Sequence, residues 1–200
     1  MIKSADQNPE LNEHLEEEIQ EVLLATRSWL EKAVIGLNLC PFAKAVHIKK
    51  QIRYAFSDAK SVKQLQRDLR AELRVLADAD PSDIDTTLLI HPYVLQNFLD
   101  YNDFLDIADA AIEEADLDGE IQVASFHPQY QFAGTGVDDV DNFTNRSPYP
   151  TLHLLREASI EIAVAAFPDA AGIYEKNIAT MHQLGHKGWE ALFKTPPEIK

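Results

Sequence analysis

Cysteine is almost missing from this chain: Cys40 is the only one in 200 residues. A lone thiol excludes an internal disulfide and a zinc site made of cysteines alone. Positive charge is also scarce. Lysine and arginine total 18 against 33 acidic residues, giving a formal net charge of -15 and a pI near 4.7. That balance opposes non-specific attachment to nucleic acid or an anionic membrane. No stretch reaches the roughly 18 uninterrupted apolar residues of a membrane helix. The opening, MIKSADQNPELNEHLEEEIQEV, is acidic and lacks the apolar core of a secretory signal. A cytoplasmic location is therefore the expectation.

What is present suits a soluble globular fold, with 46% hydrophobic and 26% charged residues. The expected organisation is a single α/β domain over 9–193, between tails at 1–8 and 194–200. Leu15, Ile19, Val22, Trp29, Leu30, Ala33 and Leu37 recur at three- and four-residue steps, predicting a long amphipathic helix over 8–37. Strands are expected at 52–57, 86–91 and 121–126, with helices at 61–76 and 94–115 between them. Strands joined by such crossovers run parallel. The fold class is thus α/β: a small parallel sheet on a β-α-β-α-β core, flanked by the N-terminal helix and by C-terminal helices. Those are expected over 150–166, opened by Pro150, and over 173–184.

Two expected strands end alike, Ile90-His91-Pro92 and Phe126-His127-Pro128. In an open α/β sheet the C-terminal strand ends form the ligand-binding rim, so His91 and His127 are candidates for one site. A turn solution used twice is the plainer alternative. The loop that follows carries Tyr130, Asn145, Arg146 and Tyr149. An arginine between amide and hydroxyl side chains, followed by prolines, suits a clamp for a carboxylate or phosphate. The same arginine stapling its own loop is the competing reading. His153 and Glu157 lie four apart with Arg156 beside them, and a helix would put them on one face. Cys40 precedes Pro41 and is either a thiolate at a helical turn or a small buried hydrophobe.

Several stretches resemble a bacterial family catalogued as domain of unknown function 1415: AVIGLNLCPFAKAVH, DTTLLIHP, DYNDFLD, VASFHPQYQFAG and NRSPYPTLHLLRE. The resemblance implies a bacterial cytoplasmic protein and brings no catalytic residues with it.

The residues themselves predict an enzyme of unspecified reaction acting on a small anionic substrate at the strand ends. Its catalytic candidates are His91, His127, His153, Arg146 and Cys40. Arg146, Asn145, Tyr149, Arg156 and Tyr130 are the candidate ligand-binding groups. His91, His127, His153 and Glu157 would hold a transition metal such as zinc or iron. The alternative is a non-catalytic binding protein for a small anion or metal ion. A scaffold using the long helix to engage a partner is a third reading, and it leaves the polar loop unexplained.

Overall fold

The computed structural model describes residues 9–166 and 172–194. Strands β1 (Ile52–Phe56), β2 (Thr86–Ile90), β3 (Ile121–Phe126) and β4 (Thr151–Arg156) form one sheet in the order β1-β2-β4-β3. β1 and β2 are parallel neighbours, and β4 is antiparallel to both β2 and β3. The β-α-β-α-β core is therefore present, with its three strands pointing one way. The sheet as a whole is mixed.

β4 corrects the sequence reading, which expected a helix from Pro150. Between β2 and β3 lies a slot one strand wide, where backbone groups need partners. Pro150 has no donor to offer and sits at the strand entrance, its carbonyl accepting from the His91 amide (3.1 Å). Leu152 and Leu154 turn into the main core while His153 points to the other face. Sheet pairing overrides the local helical spacing. The helix begins only at Glu157, as α5 (Glu157–Ala165).

α3 (Val62–Asp78) and α4 (Phe98–Glu114) cover one face of the sheet. Their Leu65, Leu69, Leu73, Tyr101, Phe104 and Ala108 pack on Ala55, Leu89, Leu152 and Leu154. Ser61 caps α3, its hydroxyl accepting from the Gln64 amide. Ser57, just after β1, donates to Asp68 of α3 (2.7 Å). α4 starts at Asn97, whose side chain accepts from Leu99 and Asp100. The residues before it are not helical, and Leu95 has a positive φ of 58°.

The other face is covered by α1 (Pro9–Trp29), which runs into a π-helical stretch, Leu30–Ile35. Trp29, Leu30, Ala33 and Val34 are buried there with Ile52, Tyr54, Phe126 and Trp189 around them. A short α2 (Ala43–Ile48) follows, and α6 (Ile173–Phe193) closes the fold with a non-helical kink at Gly185. α6 packs on a 3-10 turn, Val140–Asn145, in the long loop after β3.

Gly36 ends the π-helical stretch in an ordinary conformation (φ -63°), so its role is space. A Cβ there would stand 2.3 Å from the Lys32 carbonyl oxygen. Backbone must move to admit it, and we expect Gly36→Ala to cost about 1–3 kcal/mol. Urea unfolding checks this; an unchanged midpoint would mean the wide turn relaxes freely.

Candidate functional site

The C-terminal ends of β2 and β3 do share a rim, with the start of β4 between them. His91 and His127 leave it on the α4 side and flank the Tyr101 ring, at centroid distances of 5.8 and 5.0 Å. The Tyr101 hydroxyl donates to the Thr151 carbonyl (2.8 Å) and accepts from the Phe126 amide (3.1 Å), tying α4 to β4 and β3.

Both imidazoles are fully buried and committed to the backbone. His91 Nδ1 donates to the Val94 carbonyl (3.1 Å), so its Nε2 carries a bare lone pair, and that atom has no partner. His127 Nδ1 accepts from the Gln129 amide (3.0 Å), so Nε2 holds the proton and donates to the Leu95 carbonyl (3.1 Å). Two histidines thus hold consecutive carbonyls of one turn, including that of Leu95 in its left-handed conformation. Burial lowers both pKa values, that of His91 to about 4.

The other candidates are dispersed. His153 lies on the opposite face of the sheet, within 2.7 Å of the Thr86 hydroxyl. That hydroxyl donates to the Leu154 carbonyl, so His153 Nε2 donates to it. Burial lowers the His153 pKa to about 4. Arg156 and Glu157 sit at the far rim. The Arg156 guanidinium donates to the carbonyls of Leu76, Ala79 and Ile84, closing the end of α3. Glu157 opens α5, its amide donating to the Glu120 carbonyl. The shared helix face expected for His153 and Glu157 does not form. Cys40 is half-buried against the Trp29 cluster. Among the described residues, no three His, Cys, Asp or Glu side chains stand where they could hold a metal ion. The expected set of His91, His127, His153 and Glu157 spans two faces and two rims.

The loop tells a different story. Asn145 braces it to β3: its Nδ2 donates to the Ser125 carbonyl and its own carbonyl accepts from the His127 amide. Tyr130 packs its ring on Phe98 and Phe132. The Tyr149 hydroxyl pKa is raised, first by burial and then by Glu21 and Glu18 of α1. Asn142, fully buried, accepts from the Phe132 amide and the Thr135 hydroxyl and donates to the Gly136 carbonyl. Arg146 Nε donates to the Tyr130 carbonyl (3.2 Å) and Nη2 to that of Val137 (2.6 Å). Its guanidinium lies 4.3 Å over the Phe143 ring.

Arg146 also faces a cavity of about 500 Å³. α1 contributes Ala25, Ser28 and Trp29; the loop contributes Pro128, Phe143, Arg146, Ser147 and Pro148; α6 contributes Trp189 and Phe193. The volume is that of a small-molecule site. Arg146 is the one charged lining residue, and among the described residues no carboxylate forms an ion pair with it. Burial pushes its pKa down, opposed by Asp138. Trp29, Ser28, Phe143, Trp189 and Phe193 were not foreseen as site residues. Both tryptophans of the chain line the cavity, which was the available signal.

The model of a family described as Protein of unknown function (DUF1415) matches residues 21–191. No curated protein and no solved structure matches the chain.

The three buried imidazoles set a pH dependence. Each is neutral in the folded protein and titrates near 6.5 when unfolded, so the unfolded chain takes up protons first on acidification. Their contribution is complete above about pH 6.5 and is lost on acidification, for His91 and His153 as pH falls towards 4, by at most about 1.4 kcal/mol per pH unit per group; His127, also lowered, adds in the same direction. Urea unfolding at pH 7 and pH 5 should show the fall. His91→Asn keeps a donor for Val94 and should flatten the slope by about one proton. An equal slope in that variant would mean His91 titrates normally.

Proposed function

We propose, for a chain that belongs to this family, that it binds a small anion in the cavity beneath Arg146. One observation carries the reading: a half-buried guanidinium faces a cavity with no carboxylate among its lining residues and none paired to it. Removing such a charge from water is costly unless an opposite charge meets it. Its two carbonyl contacts fix the direction of the fork and leave the remaining N–H groups for a ligand. No imidazole, thiol or carboxylate is among the lining residues. That favours a binding protein over an enzyme at this site. The candidate metal donors, His91, His127, His153 and Glu157, stand apart and form no part of this site.

A bacterial, cytoplasmic setting is part of the same proposal: the family resemblance suggests the first, and the lone cysteine supports the second. The net charge of -15 argues against nucleic acid as the ligand. No helix among the described residues is long and apolar enough to cross a membrane.

An enzymatic reading keeps one observation of its own, the unpartnered Nε2 of buried His91. It requires that atom to meet a substrate at the sheet rim. Turnover that vanishes in His91→Asn while anion binding persists would favour it.

The binding reading is tested by thermal unfolding across small carboxylates and phosphates. A ligand at a hundred times its Kd should stabilise the native protein by about 2.7 kcal/mol. Arg146→Gln should abolish that gain, and should itself lower stability by about 1–3 kcal/mol through the two lost contacts. A gain that survives Arg146→Gln would put the anion elsewhere.

A further inference from the structure

We infer that the ligand of this cavity is an aromatic monocarboxylate, a flat ring bearing one carboxylate and no ammonium group. The inference rests on the anion-binding reading of Arg146 and adds the chemistry of the rest of the guest. Consider the charge first. Of the five N–H donors of a guanidinium, Arg146 commits Nε and part of Nη2 to the carbonyls of Tyr130 and Val137. What remains is essentially one edge, enough for one carboxylate. A phosphate dianion asks for more. No lysine and no second arginine lines the cavity, and the Ser147 hydroxyl already donates to the Tyr149 carbonyl (2.6 Å). Ser28 alone offers a hydroxyl with no protein partner among the described residues, a fitting second donor to a carboxylate oxygen.

The walls speak for the ring. Phe143 and Trp189 meet edge to face at 5.4 Å, and Trp189 and Phe193 do so at 5.6 Å. Such a chain of tilted rings presents faces and edges that an aromatic guest can continue. Trp29 closes the side of α1, its own ring held edge-on by Phe126 at 5.1 Å. Pro128 and Pro148 add rigid apolar surface. The absent group matters as well: with no carboxylate among the lining residues, an α-ammonium would be buried unpaired. Free aromatic amino acids are therefore disfavoured, and simple aryl or arylalkyl acids are favoured.

Trp29 and Trp189 are the only tryptophans of the chain and both line the cavity, so their fluorescence reports on its contents. The full-length protein is titrated with phenylacetate, with excitation on the indole red edge. A saturable change is expected. Cyclohexylacetate, of similar shape but without a ring quadrupole, should bind up to about tenfold more weakly. Phenylalanine, phenylphosphate and 2-phenylethanol should each be weaker than phenylacetate by at least as much. Because Arg146 also holds its loop, the blocking variant is Ala25→Leu, which fills the cavity from α1 and leaves that arginine intact. It should keep the unfolding midpoint within a few degrees and lose the response. Phenylphosphate or cyclohexylacetate binding as well as phenylacetate overturns the aromatic-acid assignment and leaves the anion pocket standing. A phenylacetate response that survives Ala25→Leu also overturns it. No response to any of these anions sinks both the assignment and the anion-binding reading.

Discussion

The slot between β2 and β3 is the constraint on which the rest depends. Two parallel strands joined by a crossover helix could have paired directly; here they stand apart by about two strand spacings, roughly 10 Å. β4 fills the gap from the opposite direction, so its start lies beside the ends of its neighbours. The chain therefore leaves β3 and enters β4 at the same rim. The long loop at 127–150 makes that connection and meets α1 and α6 beside it. Tyr101 fixes the geometry from below by bonding β3 and β4 at once. The cavity beside Arg146 lies along this loop.

The two histidine-proline pairs then acquire a structural meaning. At each strand end the chain leaves the sheet, and a carbonyl in the following turn must find a donor inside the protein. His91 serves Val94 and His127 serves Leu95. An imidazole suits this task because, when neutral, it can donate through one nitrogen while the other accepts. His127 uses both nitrogens. His91 uses one, and the bare lone pair on the other is a local departure from the rule that buried polar atoms are satisfied.

Much of this was legible in the residues, and the parts that were not share a cause. The apolar repeats of α1, α3 and α4 and the β-branched runs of β1 to β3 report local periodicity, which sequence displays directly. So did the shared rim of His91 and His127. Thr151 to Arg156 misled because TLHLLR satisfies a helical spacing and a strand alternation equally, and only the vacant slot decides between them. That vacancy is a property of the whole sheet. Arg156 misled for a related reason: its guanidinium reaches carbonyls of Leu76 and Ala79, far away in sequence. The aromatic walls were hidden because Trp29, Phe143 and Trp189 come from three separate segments. Arg146 holds its own loop through the Tyr130 and Val137 carbonyls, which is the staple reading; the clamp reading is the one carried into the proposed function.

A loop with so little regular structure needs side chains to hold it in place. Residues 127–150 contain a single 3-10 turn, so their order depends on side chains bonding to backbone. Asn142 gathers the segment from Phe132 to Gly136, Asn145 fastens it to β3, and Arg146 draws in Tyr130 and Val137. α6 presses from outside, with His182 paired to Asp141 at 2.8 Å and Trp189 against Phe143. The guanidinium is consequently held in position by its own loop. A binding group ordered in advance loses little conformational entropy on association, which leaves more of the interaction energy as affinity. The same ordering restricts what fits, since a cation held at two points cannot swing to follow a guest of another shape. In a protein with 33 acidic residues, one cation so placed also lies in a field that repels stray anions. For the proposed anion, charge alone would then retain little, and selection would fall to the rings around the cavity.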